Sequence, residues 1–235
     1  MEYVEVARAS SERGEVVLRQ RRDPDAPPGS PTVLELRVNG IFVMDTLETE
    51  TETALARAAL KGLDTPRSVL IGGLGLGFTL HEVLSDPRVE HVVVAELEEP
   101  LVTWFRDGTI PHGPTYLADG RVHLSVAEVQ QVVAEAAPGS FDLVLLDVDN
   151  GPDFLVHERN AGIYEPPFLR EVRRTLSPGG AVVVWSSAES EHLERSLREA
   201  FGDCRADPCA VLLQGREETY WLYTARHHPE ENDDG

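Results

Sequence analysis

Between Ser68 and Glu98 the chain runs through an apolar stretch, a cluster of glycines, a helical stretch and a second apolar stretch that ends in acid. The segments are Ser68-Val69-Leu70-Ile71-Gly72-Gly73-Leu74-Gly75-Leu76-Gly77 and then Val92-Val93-Val94-Ala95-Glu96. Strand, glycine turn, helix and parallel strand form the opening unit of a doubly wound α/β sheet that binds a nucleoside. Gly73, Gly75 and Gly77 allow the backbone to turn tightly and to approach a ligand that a Cβ would push away. Glu96, nineteen residues after Gly77, stands where a carboxylate accepts both ribose hydroxyls. A dinucleotide fingerprint needs a small residue directly after Gly77, beside a pyrophosphate, and that place holds Phe78. The pattern therefore suits a nucleoside without a pyrophosphate, such as S-adenosylmethionine or its decarboxylated form. An NAD site, and a glycine turn kept only for packing, are the alternatives.

The segment 1–64 reads as a separate β unit. Glu15 to Arg19 and Thr32 to Val38 alternate as strands on either side of the turn-rich Asp23-Pro24-Asp25-Ala26-Pro27-Pro28-Gly29. Asn39-Gly40 marks a tight hairpin, Ile41 to Met44 returns as a strand, and Glu52 to Leu60 has the Ala and Leu content of a linking helix. Thr65-Pro66 is the expected seam. Over 65–225, apolar runs at 69–71, 92–95, 122–125, 143–146 and 181–185, with late strands near Val211 and Tyr220, alternate with helical stretches. This predicts a Rossmann-like, mostly parallel sheet covered on both faces. Pro178-Gly179-Gly180 is expected to stop the helix at 168–176 and launch the next strand. The polar segment 226–235 reads as a disordered tail.

Acidic residues outnumber basic ones 41 to 21, a net charge of −20, which argues against a phosphate backbone as partner. A cationic small molecule would be drawn to such a field, although acidity also serves solubility alone. The start Met1-Glu2-Tyr3-Val4-Glu5 has no signal-peptide character and no stretch is long enough to span a membrane, so a cytoplasmic protein is expected. Cys204 and Cys209 are expected as reduced thiols, and the eight histidines show no metal-ligand spacing, so no metal is expected.

In a doubly wound sheet the strand ends open onto one crevice, so the residues after each apolar run meet the ligand. Glu128 either accepts from an adenine amine or serves as a helix-start carboxylate. The run after Leu146 is Asp147-Val148-Asp149-Asn150-Gly151-Pro152. An amine that attacks an activated carbon must be neutral and aimed, and Asp147 is the candidate to take its proton; the alternative is a turn aspartate that organises Asn150-Gly151. Asp149 is expected to point away if the strand continues. His157, Asn160 and Tyr164 lie on a long following loop that reads as a lid.

At these residues the chain resembles the spermidine synthase family of polyamine aminopropyltransferases, from about Glu35 to Trp185. The family's G-G-G-D-G-G-T-L-R-E-V-L is similar to Gly73 to Leu84, its V-E-I-D to Ala95-Glu96-Leu97-Glu98, and its R-V-x-V-x-x-G-D to Arg121 to Glu128. Its Y-D-V-I-I-x-D is similar to Phe141 to Asp147. Phe168, Leu176-Ser177-Pro178-Gly179-Gly180 and Val38-Asn39-Gly40-Ile41-Phe42 agree with further family elements. The resemblance implies a class I methyltransferase-type fold with a small N-terminal β domain and a homodimer. The candidate donor-site residues are Gly73, Gly75, Leu76, Gly77, Glu96, Leu97, Ala127, Glu128 and Asp147, and the candidate catalytic residues Asp147, Asn150 and Tyr164. Three departures stand out: the glycine-loop aspartate is Leu76, the second aspartate of D-S-x-D is Asn150, and the Tyr-His pair before the core domain is missing. The leading expectation is a transferase that passes an alkyl group, aminopropyl by resemblance, from an adenosyl-sulfonium donor to a small-molecule amine. A methyltransferase on the same fold and a non-catalytic nucleoside-binding module are the alternatives. Loss of the carboxylate at position 76 favours intact S-adenosylmethionine, on the expectation that this side chain lies at the mouth of the loop.

Overall fold

The computed structural model describes residues 2–22, 25, 27, 32–155, 158–213 and 216–228. His157, most of the 23–29 turn and the tail from 229 onward lie outside the described residues.

The chain opens with an antiparallel sheet of four strands in sequential order: β1 (Glu2–Ser11), β2 (Gly14–Arg22), β3 (Val33–Val38) and β4 (Ile41–Asp45). The β3–β4 hairpin turns at Asn39 and Gly40, both at positive φ (52° and 78°), the conformation that Asn-Gly adopts at least cost. Asn39 also ties the two hairpins together: its Oδ1 accepts from the Glu15 N–H and its Nδ2 donates to the Arg13 carbonyl. Strand β1 is not foreseen from the sequence.

Helix α1 (Glu50–Lys61) leads into the second sheet. There follow β5 (Ser68–Gly72), α2 (Phe78–Ser85), β6 (His91–Glu96), α3 (Glu99–Asp107), α4 (Gly113–Leu117), β7 (Val122–Val126), α5 (Val129–Glu135) and β8 (Phe141–Leu146). A 3-10 turn at Glu158–Tyr164, α6 (Pro166–Thr175), β9 (Leu176–Ser186), α7 (Glu191–Phe201), β10 (Arg205–Leu213) and β11 (Arg216–Arg226) complete it. The strand order is β10-β11-β9-β8-β5-β6-β7; β5 to β9 run parallel, and β11 pairs antiparallel with both β9 and β10.

Alternation along the strands separates two cores. Val69 and Ile71 of β5 face one side, where Val16, Leu18 and Leu36 of the first sheet and Leu55 and Leu60 of α1 join them in one cluster. Leu70 faces the other side, packed with Val144, Val182, Leu169 and Leu197. The first sheet thus shares its core with the second. Helix α6 ends earlier than expected, with Leu176 already extended at ψ 138°. Pro178 to Gly180 lies inside β9, where the Gly179 N–H donates to the His227 carbonyl and the His227 N–H donates to the Gly180 carbonyl. This stretch is held by pairing with His227, so residues 226–228, expected to begin the tail, are ordered; α6 has stopped three residues before Pro178. No helix among the described residues is long and apolar enough to cross a membrane.

Candidate active site

The order of strands reverses between β5 and β8, the place where open α/β sheets bind ligands. The glycine loop leaves β5 there, and Asp147 leaves β8 directly beside it, its N–H donating to the Gly72 carbonyl. At Gly73 φ is 94°, and a Cβ would stand 2.0 Å from the Asp147 carbonyl oxygen. At Gly75 φ is 51°, and a Cβ would stand 2.6 Å from Met44 Sδ of β4. Only glycine lets the loop lie between the first sheet and the end of β8. Glu96 braces it: one oxygen accepts from the Leu74 N–H (2.8 Å) and the other from the Glu98 N–H (2.7 Å).

A cavity of about 540 Å³ opens at this point, between β4 and α1 on one side and the ends of β5, β6, β8 and β9 on the other. Gly73, Gly75, Glu96, Leu97, Ala127, Glu128, Asp147 and Asn150 all line it, so the structure brings together most of the residues expected from the sequence. Three it places elsewhere. Leu76 is fully buried in the first core, its N–H against Met44 Sδ and its carbonyl accepting from His112 Nε2 at 2.6 Å, so its side chain does not stand at the mouth of the loop. Gly77 is the left-handed residue before α2, with Phe105 filling the space where a Cβ would go. Tyr164 packs in the second core behind the cavity wall; its neighbour Ile163 and Asn160 line the cavity instead. Asp149, expected to point away, lines the cavity with Asp147; residues two apart share a face of an extended chain, so the expectation misjudged the strand period.

Nine carboxylates among the described residues line this cavity, and no lysine, arginine or histidine does. Asp45 is matched from outside the lining by Arg21 (3.0 Å), and Glu98 by Arg13 (3.3 Å). Burial, opposed by its two backbone N–H partners, raises the pKa of Glu96. Burial and the charge of Glu52 push Asp147 up to about 7, opposed by the Thr79 hydroxyl at 3.4 Å. Burial, then Asp149 and Asp147, hold the Tyr164 phenol well above its usual range. Glu128 precedes α5 without capping it, and its place in the lining favours the ligand-facing alternative over the helix-start one.

Sequence reasoning missed Asp45, Glu48, Glu52, Glu218, Trp185 and Tyr220, which also line the cavity. Trp185 and Tyr220 meet edge to face at 4.9 Å. No local signal gave Glu48 and Glu52 away: Glu48 precedes α1, Glu52 lies in its first turn, and carboxylates there are favoured by the helix dipole, so they read as an ordinary helix start.

The model of the spermine/spermidine synthase domain matches residues 48–213. The chain is 31% identical over 149 residues to putrescine N-methyltransferase 3 of Nicotiana tabacum, covering 62% of this chain and 36% of that protein. It is 36% identical over 140 residues to the polyamine aminopropyltransferase of Halorhodospira halophila, covering 59% of this chain and 48% of that one. The chain thus spans less than half the length of these curated relatives. Its fold is similar to that of the spermidine synthase of Thermotoga maritima, with a TM-score of 0.72 at 17% identity over 95% of this chain and 72% of that one.

Proposed function

Since the chain belongs to the spermine/spermidine synthase family, we propose that it transfers an alkyl group from an adenosyl-sulfonium donor to a cationic amine. The observation that carries this reading is the cavity at the strand reversal: glycine backbone on one wall, carboxylates on the others, and no cationic side chain among the described lining residues. The space at Gly73 and Gly75, which any Cβ would fill, fits a nucleoside that lies close to backbone. The donor supplies a carbon activated by positive sulfur. Glu96 accepts from the ribose hydroxyls on the lone pairs its two N–H partners leave, and Glu128 accepts from the adenine amine. Asp147 takes the proton of the acceptor ammonium, so that the nitrogen lone pair can form the new N–C bond as the C–S pair returns to sulfur.

Two groups are candidates for transfer. Family membership supports aminopropyl. Similarity to putrescine N-methyltransferase 3 of Nicotiana tabacum supports methyl; Leu76, its side chain in the core and outside the cavity lining, does not decide between intact S-adenosylmethionine and its decarboxylated form. We also take the protein to form a homodimer.

Incubation with putrescine and either donor, followed by mass spectrometry, separates an N-methylated from an aminopropylated product. Thermal shift with each donor reads binding apart from transfer. Donor-induced stabilisation with no alkylated product from a panel of diamines and polyamines would leave a nucleoside-binding module. Absence of both overturns the reading.

A further inference from the structure

Helix α1 carries a carboxylate into the cavity that the transfer reaction described so far does not use. Glu52 lines the cavity across from the end of β8, and its Oε2 accepts from the Thr51 hydroxyl at 2.8 Å. Asp147 sits on the other side, one oxygen 3.4 Å from the Thr79 hydroxyl. Each carboxylate is thus steadied by a threonine of its own helix or of the helix beside it. In the same lining Trp185 is nine-tenths buried, and its Nε1–H has no hydrogen-bond partner among the described residues. A buried donor left in this way, in the wall of an open cavity, is completed by a ligand with a hydrogen-bond acceptor; an ammonium has none, whereas the lone pair of the neutral amine does.

We propose that Glu52 is a second carboxylate of the acceptor site, which works with Asp147 to hold the acceptor nitrogen between them and to take up its proton. This rests on the amine-transferase reading. Two carboxylates that feel one another titrate as a pair, in two steps; the second proton leaves at the higher value, above which both are charged. Burial raises Glu52, and burial together with the charge of Glu52 raises Asp147 to about 7. An alkyl ammonium releases its proton at about pH 10.4, so a carboxylate near 7 narrows the gap from about six units to about three. The acceptor's proton moves onto Asp147 of the doubly charged pair, while Glu52 stays charged; the nitrogen lone pair then attacks carbon, and the C–S electrons leave with sulfur as a neutral thioether.

The charged groups that face the pair raise it, and the two threonine hydroxyls oppose them. Asp45 and Glu48 act on Glu52 from its own side, and Asp149 lies beside Asp147. Tyr220 of β11, whose phenol is raised by burial and by Glu52, Glu218 and Glu48, closes the far wall in its neutral form.

The test is a carboxyl carbon NMR titration of the full chain labelled at Asp and Glu, with putrescine binding measured by calorimetry as the second arm. Asp147→Asn assigns the Asp147 resonance. In Glu52→Gln, which keeps an acceptor for Thr51, the Asp147 midpoint is expected to fall by a unit or more, putrescine to bind at least tenfold more weakly, and the acid limb of the kcat/KM profile to move. Glu52→Asp is expected to restore part of the midpoint. Should Glu52→Gln leave the Asp147 midpoint in place, or shift it while putrescine affinity and the pH profile stay as in wild type, the proposal is overturned. Wild-type protein that binds no amine at all would instead overturn the function on which it rests.

Discussion

At Glu96 two duties fall on one side chain. Its oxygens already accept from the Leu74 and Glu98 N–H groups, so the carboxylate shapes the glycine loop before any ligand arrives. Glu96→Gln turns an NH2 group toward one of those N–H donors. We expect a loss of about 1.5–3 kcal/mol, the range for hydrogen bonds to a charged group, divided between fold stability and nucleoside affinity. Thermal melts with calorimetric titration of methylthioadenosine measure the two shares; unchanged values in both would remove Glu96 from the site. Asp147 sets a pH dependence of its own. Its folded pKa of about 7 lies above the unfolded value of about 3.9, so between those pH values the native state holds the extra proton. Its contribution to stability therefore declines as pH rises through that window, by about 2–4 kcal/mol in total. Asp147→Asn should raise the melting temperature at pH 8 and have little effect near pH 4; an equal offset at both would contradict the assignment. Glu96, Glu128 and Asp147 were legible because each follows an apolar run in a sheet whose strand ends converge. Glu52 was not, because it reaches the cavity from a helix of another unit, and no local spacing reports which helix covers a crevice.

Elements were legible where burial imposes a period. Val69 to Ile71, Val92 to Ala95 and Leu143 to Leu146 are buried or nearly so on both faces and read as continuous apolar runs. Strand β1 has no buried residue, so it carries no such pattern and exists through its pairing with β2. The hairpin that it forms has a role at the site. Arg13, in the β1–β2 turn, donates to the Leu97 carbonyl at 2.9 Å and pairs with Glu98, and both of those residues line the cavity. The first sheet thereby fixes the segment after β6 on which the nucleoside's ribose would rest. With Arg13 partly exposed, Arg13→Ala is expected to weaken methylthioadenosine binding by about 0.5–1.5 kcal/mol, the worth of an ordinary hydrogen bond. Arg13→Lys should recover part of it. A Kd identical to wild type in Arg13→Ala would show that the clamp does not reach the ligand.

The charge of the whole molecule is uneven. Of the net −20, little comes from the first 47 residues, where six arginines face eight carboxylates. Repulsion between two copies is therefore weakest when they meet through the first sheet. The same sheet presents an edge: β1 is bonded to β2 on one side only, and it leaves Tyr3 (49%), Val4 (59%) and Val6 (41%) exposed. A long edge strand with exposed apolar side chains is a template for another strand, and monomers usually blunt such edges with charge, proline or a covering element. Here Glu5 and Arg8 are paired with each other, which takes away part of that protection. An antiparallel β1–β1 contact across a two-fold axis would pair the open backbone groups and cover the valines, with the same surface used by both copies. We therefore expect light scattering at micromolar concentration to give the mass of a dimer, and Val4→Lys, which sets like charges against each other at the axis, to give a monomer with its melting curve largely kept. A wild-type mass that stays monomeric across that range would rule the assembly out. The cavity opens between β4, at the opposite edge of this sheet, and the second sheet, so pairing through β1 would leave it accessible to donor and acceptor.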